Sequence, residues 1–421
     1  SRPILQSFVS SSKSDIFKCH SVHDGAYMSP PYACAYSNSA KAGKKPLLAV
    51  STEQGAVHIL DTSKRHEWDV EPPRCTFQPH HNGVFDVQWS RCDTLVATAA
   101  ADQTVGVSKL TADGAKLTHS LAYHQSTVKC VTWDPTRDGE VLCSGSRDGM
   151  ICIWDLRDSG RNKKPVLVVS KAHDTGKSAV RKGKLHGPPA RGVTSLLFSG
   201  VNEYGLISGG SYDGILRQWD IRFIDNRRKS KRKDPGRVDV IPKPSHLSDT
   251  DPTTYSGTRR ARGVTSLTQG SGPSRGLIFA LANDSRVHTY DLGSLEPLSG
   301  QTDDTGADPW SYGHGNMRTN SFYVRVALSP CGQWLASGGA ANGSVFLFDI
   351  SAGTRERRAM ARVELHGQRG EVGAVDWAEG ILATCADDGT VRVWRPDLVT
   401  ARECQDEPDK MKWNWSWAVE L

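Results

Sequence analysis

Two stretches of this chain close in the same way. SGSRDGMICIWDLR ends on Trp154-Asp155-Leu156-Arg157, and GGSYDGILRQWDIR ends on Trp219-Asp220-Ile221-Arg222. Each reads as a strand of small residues, a tight Asp-Gly turn, an alternating apolar strand and then Trp-Asp-x-Arg. A unit of this size cannot bury its own apolar face. A chain built on such a unit must stack further copies beside it.

The pattern resembles the WD repeat, which implies an all-β chain folded as a seven-bladed WD40 β-propeller. Such a ring needs about 300 residues at roughly 40–45 per blade, and inserts absorb the rest of the 421. Candidate inner strands are PPYACAYS (30–37), GVFDVQWS (83–90), STVKCVTWDP (126–135), GVTSLLFSG (192–200), GVTSLTQG (263–270), SFYVRVALSP (321–330) and EVGAVDWAEG (371–380). The expected organisation has an N-terminal segment (1–29) whose ILQSFVS closes the last blade. The propeller follows (30–397), with inserts at 158–192 and 223–262. A C-terminal tail (398–421) packs on its side through the alternating Trp413, Trp415 and Trp417.

Taken alone, His366, Thr384 and Asp388 imitate an acid–base site. Taken by period, they belong to a buried network repeated from blade to blade. An Asp of the turn (Asp102, Asp148, Asp213, Asp284, Asp388) accepts from a His such as His124, and Ser144 or Thr384 and a Trp complete the chain. Gln54 and Asn342 stand where other turns carry Asp, and Ser108 stands where a Trp is expected. No phosphate-binding, zinc-protease or nucleophile-elbow motif is placed on a suitable element, so neither an enzyme nor a cofactor is expected. The ten cysteines show no CxxC spacing and read as small buried thiols in a reducing compartment. No apolar run of 18 residues marks a membrane helix.

Positive charge is concentrated in the inserts. Residues 158–192 carry nine Lys/Arg against two Asp, and residues 223–262 carry eleven against five. Arg181, Lys182 and Arg260 lie on the route to the face that bears the Asp-Gly turns, where they suit DNA phosphates or an acidic partner. RRKSKRK (227–233) reads as a nuclear-localisation run. Aromatic residues are not interleaved with the charge, so only non-specific DNA contact is expected.

Arg157 and Arg222 leave their blades at the opposite end, where two adjacent forks make a basic edge for a partner's carboxylates or carbonyls. The doubled signature resembles the docking box of WD-repeat substrate receptors of cullin-RING ubiquitin ligases, which bind the damaged-DNA-binding adaptor. PPYACAYS, LAVSTEQGAVHILDT, HNGVFDVQWS, ATAAADQTV, SFYVRVALSP and ATCADDGTVRVWR, in this order, are similar to the denticleless family of such receptors. By that resemblance, Asp148, Trp154, Asp155 and Arg157 match one docking box. Asp213, Trp219, Asp220 and Arg222 match the other. The family implies a nuclear receptor for substrates bound to the sliding clamp PCNA, such as the replication-licensing factor, ubiquitinated in S phase and after DNA damage.

The substrate face would be the turn-bearing one. His81, Phe85, Arg147, Tyr212, Tyr323 and Asp387 flank its turns or inner-strand starts. Family substrates carry a basic residue beyond the clamp-binding motif, which Asp387 can meet. The competing reading is a chromatin or histone-tail-binding scaffold that does not use the two arginines.

Overall fold

The computed structural model describes residues 2–157, 164–174, 191–222, 243–255, 260–299, 308–319, 321, 323–351 and 362–420. Five separate four-stranded antiparallel sheets follow one another along the chain. The first contains Pro31–Tyr36, Leu47–Thr52, Val57–Asp61 and Cys75–Phe77. The second contains Val84–Trp89, Leu95–Ala100, Thr104–Thr111 and Gly114–Ala122. The third contains Val128–Trp133, Val141–Ser146, Ile151–Asp155 and Leu167–Val169. The fourth contains Val193–Phe198, Gly205–Gly210, Arg217–Asp220 and His246–Leu247. The fifth contains Val264–Gln269, Leu277–Ala282, Arg286–Asp291 and Ser311–Gly313.

The expectation of a separate sheet for every repeat holds for these five. The remaining strands form one ten-stranded sheet, in which Ile16–Lys18 pairs with Thr390–Pro396 off the main path. One half is Val326–Leu328, Trp334–Ser337, Ser344–Asp349 and Arg362–His366. The other half is Val372–Ala378, Ile381–Ala386 and Thr390–Pro396. The C-terminal strand Trp415–Glu420 pairs with Arg362–His366 on one side and with the N-terminal strand Phe8–Ser11 on the other. Phe8–Ser11 in turn pairs with Thr390–Pro396. Two edges that would otherwise face water are thereby paired.

The inner strands adjoin one another in cyclic order, from Pro31–Tyr36 round to Val372–Ala378 and back. That arrangement is a β-propeller. The second strands Val141–Ser146 and Gly205–Gly210 are buried throughout. Small residues are required there: a Cβ on Gly145 would lie 2.6 Å from Val193 Cγ1 of the next sheet. Side chains of inner strands tie neighbouring sheets together. Asp86 accepts from Val131 N at 3.0 Å and Asp376 from Tyr36 N at 2.7 Å, while Ser195 accepts from Leu267 N at 3.0 Å.

The repeated network is complete in the third sheet. His124 lies 3.3 Å from Asp148 and 2.8 Å from Ser144, and Trp154 Nε1 donates to Ser144 Oγ at 2.9 Å. Elsewhere it departs from the expected form. In the fourth sheet Arg217 occupies the register position of Cys152 and inserts between Asp213 and His173. Burial and the adjacent guanidinium push the His173 ring well below its ordinary range. In the last repeat Gln368, and not His366, takes the place of the histidine: Thr384 Oγ1 donates to Gln368 Oε1 at 2.6 Å. His366 belongs to the preceding outer strand, where it meets Ser344 at 3.2 Å and Glu364 at 3.4 Å. In the second sheet Ser108 leaves its buried hydroxyl without a partner among the described residues. All ten cysteines are free thiols.

Candidate functional site: a channel mouth and an arginine edge

Most inner strands slip register at the same point, one residue after their start. The residues at these bulges are Tyr32, Phe85, Lys129, Thr194, Thr265 and Gly373. A bulge re-aims its side chain. The sequence sets Arg325 in the matching place, between Val324 and Val326. These positions ring the end of the channel that bears the Asp148-Gly149 turn, since Arg147 N donates to Thr127 O beside the start of Val128–Trp133.

Around this mouth the rings form a continuous ladder. Lys129 Nζ sits 3.8 Å over Phe85, Phe85 stacks on Tyr32 with centroids 5.4 Å apart and planes 9° apart, and Tyr32 lies 5.4 Å from Tyr323. Tyr323 Oη then reaches Asp387 at 3.3 Å. Glycine makes the room: a Cβ on Gly373 would lie 2.5 Å from Tyr323 Cδ2. Arg325 braces the ladder from below, donating to Phe85 O at 2.8 Å and Lys129 O at 3.1 Å.

The two ends of the ladder differ in charge. At the Tyr32/Tyr323 end stand Glu53, Glu371 and Asp387. Burial raises the Glu371 and Asp387 carboxyls above their ordinary range, and burial with the nearby Glu53 pushes the Tyr32 hydroxyl up to about 12. One oxygen of Glu371 is buried and has no hydrogen-bond partner among the described residues. At the other end, burial and then Arg325 and Arg147 push the Lys129 amine down to about 7. One side of the mouth therefore favours a cation and the other an anion.

Of the residues expected on this face, the fold brings Phe85, Tyr323 and Asp387 together, with Arg147 adjacent through Lys129. Tyr212 stands apart, its ring 3.7 Å beneath Arg191. His81 and Arg260 are exposed and outside the ladder. Arg181 and Lys182 lie outside the described residues. Tyr32, Glu53, Lys129, Arg325 and Glu371 were not anticipated. For Tyr32, Lys129 and Arg325 the signal was the residue after the first apolar position of each inner strand, whereas Glu53 follows a second strand and Glu371 precedes an inner one.

Below the mouth the channel encloses about 230 Å³, lined in part by Asp86, Gln88, Gln269, Arg325 and Asp376. Polar side chains thus converge on the axis. Asp86 faces Arg325 at 3.9 Å and Asp376 faces Lys41 at 3.1 Å, and both carboxylates also hold the neighbouring sheet. Among the described residues no cluster of His, Cys, Asp or Glu is arranged to hold a metal ion.

The eight docking-box residues divide in two. Asp148, Trp154, Asp213 and Trp219 serve the blade interior, both indoles being 1% exposed. Asp155, Arg157, Asp220 and Arg222 reach the opposite end. Arg157 folds onto its own Asp155 at 2.6 Å and faces Glu140 at 3.5 Å. Arg222 folds onto Asp220 at 2.8 Å with its guanidinium 4.5 Å over Tyr204. The arginine side chains remain 59% and 47% exposed. The expected basic edge is therefore an edge of paired charges, each fork held in one orientation by its own Asp.

A family model described as WD domain, G-beta repeat matches residues 71–107, 115–155, 180–220, 312–349 and 361–395. Denticleless protein homolog A of Xenopus laevis is 30% identical over 91% of this chain and 50% of its own length. The cell division cycle protein cdt2 of Schizosaccharomyces pombe is 30% identical over 87% of this chain and 69% of its own. The human denticleless protein homolog is 27% identical over 87% of this chain and 46% of its own. The chain spans about half the length of the vertebrate relatives it matches. With its WD repeats on a propeller and these relatives along nearly its whole length, the chain belongs to the denticleless family of WD-repeat proteins.

Proposed function

We propose that this chain is the substrate-recognition subunit of a cullin-RING ubiquitin ligase, working in the nucleus on substrates bound to PCNA in S phase and after DNA damage. It has seven blades in this reading, the ten-stranded sheet counting as two; the closed ring of inner strands supports that count. Residues 1–29 and 398–421 close the propeller of residues 30–397. The protein performs no chemistry itself. It raises the concentration of a substrate lysine near the ligase's conjugating enzyme.

The observation that carries the reading is the separation of two surfaces by the height of the blades. At one end, adjacent blades each present an oriented arginine, fit for the damaged-DNA-binding adaptor. At the other, an aromatic ladder ends in Glu53, Glu371 and Asp387, fit for the basic residue of a degron. The basic inserts add non-specific contact with DNA. The same acidic mouth also suits a histone tail on a scaffold that docks to no ligase, and the adaptor separates the two readings.

The test is co-purification with that adaptor, wild type beside the Arg157→Ala/Arg222→Ala double variant, after both show the same thermal unfolding. The wild type is expected to bind and the variant to lose at least about tenfold in affinity. Equal binding would remove the arginines from the interface. No binding by the wild type would favour the scaffold.

A further inference from the structure

The second sheet departs from the other repeats in two ways at the arginine end. Five third strands end on Asp61, Asp155, Asp220, Asp291 and Asp349, each opposite the first residue of its second strand. In the second sheet that register position, opposite Leu95, holds Lys109, and the strand runs on to Thr111. Its partner Gly114–Ala122 has nine residues, against three for the outer strands of the first, third and fifth sheets. The hairpin therefore projects past the level of Asp155 and Asp220, at the end where Arg157 and Arg222 stand.

The projecting hairpin is held in place. Leu110 packs against the apolar core shared by the first and second sheets, and its N donates to Thr94 O at 2.9 Å. Thr111 Oγ1 donates to Gly114 O at 3.0 Å, which closes the tip. On the face turned from Leu110, Lys109 and Lys116 stand opposite each other, both exposed. Like charges set directly opposite weaken a hairpin. Neither lysine is paired with a carboxylate among the described residues. The sequence thus keeps a small local cost at a place where five other repeats carry an acid.

Between this hairpin and the third sheet lies a cleft of about 260 Å³. Leu95, Lys109 and Thr118 line one side, and Glu140, Leu156 and Arg157 line the other. Thr118 sits at the bulge of the outer strand, where the register slips. An apolar cavity of about 150 Å³ already holds a benzene ring, so one large side chain fits here. Arg157 is itself a wall, so a protein that takes Arg157 lies across the opening. The two leucines offer that protein an apolar floor, which a phosphate backbone could not use, and the two lysines offer it a cationic rim. We infer that the folded protein that takes Arg157 also sets a loop into this cleft. One apolar side chain of the loop seats beside Leu95 and Leu156, and a carboxylate next to it meets Lys109 and Lys116. This rests on the adaptor reading above and carries the docking surface from the third sheet onto the second.

The experiment is titration of the purified damaged-DNA-binding adaptor with the full chain: wild type, Lys109→Gln/Lys116→Gln, Thr118→Trp, and Arg157→Ala/Arg222→Ala. Removing two opposed charges should leave the unfolding temperature at or above that of the wild type. Thr118 is exposed, so its replacement should leave the fold intact; should Thr118→Trp unfold early, the lysine variant decides alone. The inference expects the lysine variant to lose about fivefold or more in affinity at low salt, the gap closing as salt rises. Thr118→Trp fills the cleft and should lose at least about tenfold. If either variant binds as the wild type while the arginine variant does not, the second contact is wrong and the receptor reading stands. If the wild type itself does not bind, both fall together. Loss of duplex-DNA binding by the lysine variant, with adaptor affinity unchanged, would also overturn the inference.

Discussion

Ser144 serves His124 and Trp154 at once, at 2.8 and 2.9 Å, inside a region from which water is excluded. Leaving such buried donors unpaired costs on the order of 1–3 kcal/mol each, which is reason enough for the set to recur without any catalytic duty. The same burial gives the fold a pH dependence whose sign is fixed. His173 is held well below its ordinary value, and burial pushes His58 down to about 4. Below the ordinary histidine value of 6.5 the unfolded chain binds protons that the fold refuses. Stability from these two rings is therefore complete above pH 6.5 and drains as pH falls towards 4. The melting temperature should drop over that window, and less steeply in His173→Gln. Asp102 acts lower down: burial opposes its ionisation, but hydrogen bonds from His80 and Thr104 bring it to about 2, so its share survives until pH passes below 3.8. The Asp, Ser and Trp of the network were legible in the sequence because they recur at fixed offsets, whereas His58 and His173 were not singled out. His366 misled because a histidine just before an inner strand looks like His124, whereas Gln368 stands closer to the strand and takes the position.

Phe8 is the element-scale keystone of the ten-stranded sheet. It is fully buried and lies edge-on to Trp377 at 5.6 Å and to Trp334 at 6.4 Å. It thus bridges the two halves from the N-terminal strand. Phe8→Ala should cost about 3–5 kcal/mol, as for other buried aromatics. Urea unfolding of the variant would check this, and hydrogen exchange should show the extra opening first in Phe8–Ser11 and Trp415–Glu420. Trp415 and Trp417 alternate within the C-terminal strand, whereas Trp413, expected to pack on the propeller with them, lies before the strand and is 77% exposed. Nothing local names the strand's neighbours, because ladder partners are chosen by whichever edges the finished ring leaves open. The bulges were hidden for a related reason. One extra residue reverses the in-and-out parity of a strand, so Tyr32 and Lys129 read as ordinary alternating positions when they form the mouth.

At the scale of the whole molecule, one end offers oriented cations and the other a mouth that is acidic on one side. If a basic side chain seats against Asp387 and Glu371, its binding must follow their ionisation. Both carboxyls are raised by burial, so affinity for a lysine-bearing degron peptide should begin to fall above the ordinary carboxylate range as pH drops. Asp387→Asn should weaken binding at neutral pH and flatten this profile, measured by peptide titration from pH 7.5 to about 4.5. The propeller was plain from its repeats, and the turn-bearing face from the Asp-Gly positions. The order of charges around the mouth was not, because it depends on which of the bulge residues become neighbours across the axis.

The pairing of Phe8–Ser11 with Trp415–Glu420 has a mechanical consequence. The strands run antiparallel, with Ser11 opposite Trp415 and Val9 opposite Trp417, so Phe8 and Glu420 lie towards the same end of the ladder. A force drawing residues 8 and 420 apart meets these hydrogen bonds one after another, as a zip does, and not all at once in shear. Tension passed through the chain on either side would spend itself first in parting that single seam. The five separate sheets would still be whole when it opened, and the ring would part as a hinge between its last blade and the one before.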